Sequence, residues 1–70
     1  MNLKDVIKER RRVLNITQID LAEMSGVSLA TVKDIERDAG NPSMKTVMRI
    51  LEVLGMEMDF HIRNINGYTL

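Results

Sequence analysis

The chain has 70 residues, 44% of them hydrophobic, and its ten Lys and Arg residues are balanced by ten Asp and Glu residues. This length fits one small domain, which buries only about 60% of the surface of its unfolded chain and therefore gains from a partner chain. With no cysteine and a single histidine, His61, the sequence excludes disulfides, thiolate metal sites and zinc-binding histidine clusters. We expect no cofactor, no metal and no enzyme activity. No apolar run approaches the ~18 residues of a membrane span, and no signal-peptide core is present, so we expect a cytoplasmic protein that does not bind membranes.

Charge is distributed unevenly despite the net balance. Lys8, Arg10, Arg11 and Arg12 concentrate positive charge in one segment, whereas the last third is mildly acidic. Such a basic run is typical either of a solvated helix face or of a surface that meets an anionic partner. The run alone does not choose between these two interpretations.

Hydrophobic spacing and capping residues predict the first two helices. Apolar residues recur at helical spacings from Leu3 to Leu14, behind Asn2 as a suitable N-cap, and Asn15 can adopt the left-handed conformation that often ends a helix. Thr17 then caps a second helix, with Asp20 three residues later in the position of a capping box. The predicted buried residues of this helix are Ile19, Leu21, Ala22 and Met24.

A tight turn at Gly26 leads to a third helix. Ser28 caps it, and it runs from Leu29 to about Arg37 with Val32 and Ile35 turned inward. We expect the opposite side to carry Leu29, Ala30, Lys33, Asp34 and Arg37.

Ser43 caps a fourth helix with a broad apolar sector. Its predicted stripe consists of Met44, Val47, Met48, Leu51 and Leu54. Ile50 and Val53 widen this stripe beyond what one intrachain contact requires. We therefore expect these two residues to contact another molecule.

After Gly55 the pattern changes to strict alternation, which predicts a strand. A lone strand cannot satisfy its backbone hydrogen bonds, and the chain contains no second convincing strand. A hairpin at Asn66-Gly67 would leave only Tyr68 to Leu70 for the returning arm. We favour pairing with the same strand of a second copy, as a ribbon over the fourth helices of a homodimer. The apolar side of that strand consists of Met56, Met58, Phe60 and Ile62.

The segment TQIDLAEMSGVSLATVKDIE resembles the helix-turn-helix of the Cro/repressor (XRE) family. The flanking segments IKERRRVLNITQ and NPSMKTVMRILEVLG are similar to the first and last helices of that family. This resemblance spans about Leu3 to Gly55. It implies a mainly α, four-helix, lambda-repressor-like DNA-binding domain in residues 1–55, with the motif at 17–37. Residues 56–70 would then form the short β-strand and tail that pair across the dimer. The matching motif positions are Gln18, Ala22, Gly26, Val32 and Ile35.

The resemblance also implies which residues meet DNA. It assigns Gln18 and Asn41 to phosphates, Thr31 to a position near the backbone, and residues of the third helix to base edges in the major groove. Ser28 belongs to this set as well, although its hydroxyl is also expected to cap the helix. Arg37 would add to discrimination, together with sequence-dependent DNA shape. The base-edge positions are Leu29, Ala30, Lys33 and Asp34.

The side chains at these positions depart from those of better-known phage repressors. Leu29 and Ala30 offer only apolar contact to a thymine methyl, whereas glutamines can bind adenine through two hydrogen bonds. Asp34 can accept a hydrogen bond from cytosine N4 but repels phosphate. We therefore predict modest direct readout of the bases.

The family also has a partly buried pair between an arginine of the first helix and a glutamate of the third. Alignment with the family places this pair at Arg11 and Glu36. Hydrophobic periodicity instead places Arg10 nearer the centre of the apolar stripe. We follow the alignment, which makes Arg11 structural rather than a DNA contact.

These observations lead to two hypotheses on function. The first is a homodimeric transcriptional regulator, expected to be a repressor, that binds double-stranded operator DNA and associates with the nucleoid when bound. The second is the antitoxin of a toxin–antitoxin pair, which binds a protein toxin and autoregulates its operon. It depends on the similarity of Met56 to Ile62, with the preceding ILEVLGMEM, to HipB-like antitoxins. An enzyme is disfavoured because the carboxylates are scattered and no phosphate-binding glycine loop is present.

Overall fold

The computed structural model describes residues 2–63, which contain four helices. They are α1 (Leu3–Leu14), α2 (Gln18–Ser25), α3 (Leu29–Glu36) and α4 (Met44–Val53). This arrangement confirms the predicted mainly helical, four-helix fold. No helix in residues 2–63 is both long enough and apolar enough to cross a membrane. The same residues contain no group of three His, Asp or Glu side chains placed to hold a metal ion.

Each helix begins at a predicted N-cap. The side chains of Asn2, Thr17, Ser28 and Ser43 all accept a hydrogen bond from a backbone N–H of the first helical turn that follows. The predicted left-handed residue is also present, since Asn15 ends α1 with φ 56°. Local hydrogen bonds thus determine where the helices begin.

The core lies where α2 packs against α3 and α4, with α1 packed on α3. Its fully buried side chains come from all four helices or their caps, so the helices form a single packed unit. The largest of them are Ile7, Leu21, Val32, Ile50 and Leu54.

In the predicted apolar stripes of α1 and α4, Leu14, Met44 and Met48 are exposed. Two residues of α2 that were predicted to be buried, Ile19 and Met24, also lie at the surface, with exposed fractions of 55% and 61%. The prediction was wrong at these positions because short helices carry apolar residues on more than one side. Only the side facing neighbouring helices is buried.

Two further predictions are corrected by the packing. Leu29, expected on the outer side of α3, is half-buried and packs against the core. Ile50, expected in a contact with a second chain, is 0% exposed because it lies on the side of α4 that meets the core. Ile50 therefore has no surface to offer a partner.

The segment after α4 is not helical and makes no β-ladder in residues 56–63. A strand that pairs only with a second copy cannot form a ladder in one chain, so the predicted ribbon stays a prediction. The alternative hairpin at Asn66-Gly67 lies outside the described residues. Phe60 and Ile62 are largely exposed, whereas Met56 and Met58 are only about one third exposed.

Candidate nucleic-acid interface

The turn between α2 and α3 positions the start of α3. Gly26 ends α2 with φ 72°, a conformation that an L side chain adopts only with strain. Ser28 then accepts a hydrogen bond from the Thr31 N–H at 3.1 Å, and its hydroxyl donates to Thr31 Oγ1 at 2.8 Å. Both hydroxyls assigned to the DNA surface by resemblance are therefore already engaged in capping α3.

The outer side of α3 is open to solvent next to α1 and α2. Ala30 and Lys33 are exposed, and they share a shallow pocket with Gln18 at the start of α2 and with Lys8 of α1. The pocket also includes Asp34 and Arg37 from the end of α3. The structure thus brings together residues from three helices that are separated in the sequence.

A buried carboxylate holds these three helices together. Glu36 is 2% exposed and receives two hydrogen bonds from Arg11, from Nε at 2.9 Å and from Nη2 at 2.8 Å. Gln18 Nε2 donates to the same carboxylate at 3.2 Å, and Arg11 Nη1 donates to the Ile16 carbonyl at 3.1 Å. We call Arg11, Gln18 and Glu36 the Glu36 cluster. It confirms the predicted pairing of Arg11 with Glu36.

The Glu36 cluster also determines the charge beneath the α3 surface. The hydrogen bonds from Arg11 to Glu36 raise the pKa of Arg11 against the opposing effect of burial, so its positive charge is held. That charge offsets the carboxylate, which would otherwise repel an anion above it. The bidentate geometry is the strong form of an arginine–carboxylate pair.

Arg10 has a different role from Arg11. Its Nε donates to the Leu54 carbonyl at 2.8 Å, which caps the end of α4. Periodicity correctly indicated that Arg10 faces the interior, but only the alignment identified the arginine that pairs with Glu36.

The N-terminus of α2 lies beside this cluster. A complete capping box joins Thr17 and Asp20, and the hydrogen bonds from the Thr17 backbone N–H and hydroxyl lower the pKa of Asp20. Among the hydrogen bonds of residues 2–63, none uses the N–H of Gln18 or Ile19. These two donors are therefore available at the positive end of the helix.

The remaining predicted contacts lie around the C-terminal end of α3. Arg37 pairs with Asp34 on the exposed surface, so each partly offsets the charge of the other. Asn41 is exposed in the loop after α3 and lines a small groove with Thr31 and Gly40. Most of the predicted set therefore lines the pocket beside α1 or this groove, whereas Ser28 and Leu29 line neither of the two.

Lys8 is the residue that the sequence assignment missed. It was recognised only as part of the basic run on α1, and nothing in helical periodicity relates it to α3. Its place in the pocket with Gln18 and Lys33 becomes visible once α1 packs on α3. The excess of basic residues in this segment was the one signal that pointed towards it.

A family model described as Helix-turn-helix matches residues 7–61. The chain belongs to the helix-turn-helix family, in its XRE type. The match covers the Glu36 cluster, the turn at Gly26 and the whole of α3. The family assigned from the motif at 17–37 is thereby confirmed.

Relatives of this helix-turn-helix protein include phage repressors. It is 36% identical over 58 residues to the immunity repressor protein of Bacillus phage phi105, a match covering 83% of this chain and 40% of the relative. It is 30% identical over 59 residues to the cryptic phage CTXphi transcriptional repressor RstR of Vibrio cholerae, covering 84% and 53%. The chain thus spans about half or less of the length of these two relatives.

A third relative matches over most of its own length. An HTH-type transcriptional regulator of Methanothermobacter thermautotrophicus is 36% identical over 63 residues, covering 90% of this chain and 87% of the relative. None of these three names refers to a toxin or an antitoxin, so they give the antitoxin hypothesis no support.

Proposed function

We propose that this protein binds double-stranded operator DNA sequence-specifically, as a homodimeric transcriptional repressor, with α3 in the major groove. The observation that carries the proposal is the open side of α3, where Ala30 and Lys33 lie beside Lys8 and Gln18 in a chain of the helix-turn-helix family. The repressor relatives support the same function. Helix-turn-helix proteins place the second helix of the motif in the major groove and the first across the backbone.

The charges around α3 fit this orientation. Lys33 lies on the exposed side and can reach either a guanine edge or a phosphate. Lys8 and the free N–H groups at the start of α2 would contact phosphates on the same side, and Gln18 keeps one amide hydrogen for this purpose. Phosphate contacts would set the orientation of the domain, and base contacts its sequence preference.

Some α3 residues predicted to contact DNA are less available for that contact than the sequence suggested. Leu29 is half-buried against the core, so Ala30 is the better candidate for contact with a thymine methyl. Asp34 is paired with Arg37, which reduces both its repulsion of phosphate and the free charge of the arginine. We therefore expect much of the discrimination to come from Lys33 and from DNA shape.

Selection from a random duplex library at fixed, near-physiological salt tests this function. A homodimer should enrich an inverted repeat with half-sites about 34 Å apart, one helical turn of DNA. Lys33→Ala should weaken binding to the selected duplex, whereas Lys4→Ala, which removes the same charge outside the pocket, serves as the matched control. A wild-type protein that enriches no duplex would overturn the proposal.

The homodimer includes the alternating segment as a ribbon between two copies. Its exposed side chains Phe60 and Ile62 would be covered by the second copy. Truncation after Gly55 should therefore lower dimer stability and, through it, affinity for an inverted repeat. Sedimentation equilibrium at micromolar concentration measures the first effect, and unchanged association of the truncated chain would remove the ribbon from the proposal.

A further inference from the structure

α4 presents a mixed surface of charged and methionine side chains opposite the core. We call four of its five exposed residues the α4 outer face: Lys45, Met48, Arg49 and Glu52. Two surface grooves border this face on its two sides, and Arg49 and Glu52 line both of them. The apolar residues that the grooves add at the borders are Met24, Leu51, Val53, Met56 and Met58.

Methionine is distributed unusually in this fold. All five methionines of residues 2–63 are exposed, whereas the core consists of isoleucine, leucine, valine and alanine. Met48, Met56, Met58 and Met24 lie in the grooves beside the α4 outer face. Methionine is flexible and polarisable, and proteins use it at adaptable binding surfaces. An exposed concentration of this kind favours contact with another macromolecule.

The charges of the α4 outer face are ordered along the helix. Lys45 and Glu52 are seven residues apart, so they lie on one stripe, two turns or about 10.5 Å from each other. Within residues 2–63 neither forms an ion pair, and neither does Arg49, although Arg49 precedes Glu52 by only three residues. By contrast, the acidic and basic residues at the same spacing on α1 and at the end of α3 do form ion pairs, Glu9 with Arg12 and Asp34 with Arg37. The stripe is thus basic at one end, acidic at the other and unpaired.

A surface ordered in this way complements a second copy of itself. A two-fold axis that lies between the two copies, perpendicular to α4 and level with its midpoint, makes the two helices antiparallel. Lys45 of each copy then faces Glu52 of the other, which forms two identical ion pairs. Met48 and Arg49 lie next to the axis, so Met48 of each copy faces Arg49 of the other. The methionines would supply apolar contact, and the charges would set the register.

We propose that the α4 outer face is the contact surface between two copies of this chain, packed antiparallel with Lys45 of each copy paired to Glu52 of the other. This inference rests on the homodimer of the proposed function and names the surface that forms it. This surface differs from the one expected from the sequence. Ile50 is buried in the core, so the proposed contact consists of exposed methionines and charged residues instead.

Charge exchange tests the register directly. Lys45→Glu and Glu52→Lys should each raise the dimer dissociation constant about tenfold, because each creates two like-charge contacts in its own homodimer. An equimolar mixture of the two variants should restore wild-type association, since the heterodimer regains both opposite-charge pairs. The double variant K45E/E52K should do the same at unchanged net charge. Sedimentation equilibrium measures all four samples, and circular dichroism verifies that each is folded.

Matched reversals on α1 serve as the control. Glu9→Lys and Arg12→Glu change net charge equally at an exposed pair away from α4, and they should leave the dissociation constant within about twofold. Single reversals on α4 without effect would overturn the inference. So would reversals that weaken the dimer without rescue by the mixture or by the double variant.

The same experiments distinguish failure of the α4 contact from failure of the proposed function. If the wild type is a dimer that selects an inverted repeat but ignores the charge reversals, the α4 contact is wrong and the function stands. If the wild type is monomeric at all concentrations and enriches no duplex, the proposed function fails together with this contact.

Discussion

The two surfaces of this small domain use charged residues in opposite ways. Beneath α3, Arg11 and Glu36 form a partly buried pair that is completed by Gln18. On α4, Lys45 and Glu52 are exposed and unpaired within residues 2–63. The comparison teaches that a buried pair fixes the relative position of helices, whereas unpaired surface charges remain available to a partner.

The comparison also explains how 70 residues with zero net charge can serve an anionic ligand. The buried carboxylate of Glu36 is neutralised by Arg11, and Asp34 at the α3 surface is paired with Arg37. Lys8 and Lys33 then contribute positive charge at the pocket. Local arrangement, rather than the sum over the chain, determines the field that DNA would meet.

The largest expected effect comes from breaking the buried pair. Arg11→Met would leave Glu36 with an uncompensated buried charge and should lower the free energy of unfolding by about 3–5 kcal/mol. Arg12→Met, which breaks the exposed pair with Glu9, should change it by less than about 1 kcal/mol. Thermal and urea unfolding followed by circular dichroism measure both. Equal effects of the two variants would contradict the distinction between buried and surface pairs.

A double variant sharpens this result. R11M/E36L removes both charges, and replacement of a buried pair by apolar residues is often neutral or stabilising. It should therefore recover most of the stability lost in Arg11→Met. A double variant as unstable as the single one would mean that the hydrogen bonds to Ile16 and Gln18, rather than the charge on Glu36, dominate.

The next effect concerns the exposed basic residues beside α3. Lys33→Ala should cost about 1–3 kcal/mol of DNA-binding free energy and relax preference at one base pair if Lys33 contacts a base. If Lys33 contacts a phosphate, the loss should instead be uniform across sequences, with a salt slope reduced by about one. Fluorescence anisotropy at several salt concentrations separates the two. No change in either quantity would remove Lys33 from the interface.

Lys8 provides the comparison for that measurement. In the proposed orientation Lys8 contacts the phosphate backbone and not a base, so Lys8→Ala should lower affinity uniformly and reduce the salt slope by about one. A change of base preference in this variant would contradict the placement of α1 along the phosphate backbone.

A smaller loss is expected at the cap of α2. Thr17→Ala removes the hydroxyl that accepts from Asp20 N–H at 3.0 Å and should cost about 1 kcal/mol of unfolding free energy. Thr17→Ser retains the hydroxyl and should stay close to wild type in the same urea titration. Equal losses in the two variants would show that the methyl group, and not the cap, stabilises this end of α2.

The smallest effect is a pH dependence from Asp20. Because hydrogen bonds from Thr17 lower the folded-state pKa of Asp20, its stabilising effect is present above the unfolded pKa of about 3.9 and is lost as pH falls through the lower folded value. Asp20→Asn should therefore show a shallower loss of stability below about pH 4 than wild type. Parallel acid-unfolding curves for the two proteins would contradict this contribution.

Sequence reasoning predicted features that depend on local hydrogen bonds. Asn2, Thr17, Ser28 and Ser43 act as caps because each needs only backbone atoms a few residues away. The motif at 17–37 indicated the family through its resemblance to the Cro/repressor helix-turn-helix, in which Gly26 stands in the turn, and Gly26 has the positive φ that such a turn needs. Arg11 was identified by alignment, because its partner lies 25 residues away in the sequence.

Features that depend on which helices meet could not be predicted in the same way. Ile19, Leu21 and Met24 are all apolar, yet of the three only Leu21 is buried in the core between the helices. Likewise, Lys8 joins the candidate interface only through the packing of α1 on α3. Hydrophobic spacing shows that a helix has a buried side, but packing between helices selects it.

The hydrogen bond from Arg10 to the Leu54 carbonyl closes the four-helix unit immediately before Gly55. Within residues 2–63 every core residue precedes Gly55, and the side chains from Met56 to Arg63 are exposed. Evolution can therefore replace the segment after Gly55 without repacking a single core side chain. If this segment forms the proposed ribbon, the association of two copies can change between relatives in which α3 is unaltered.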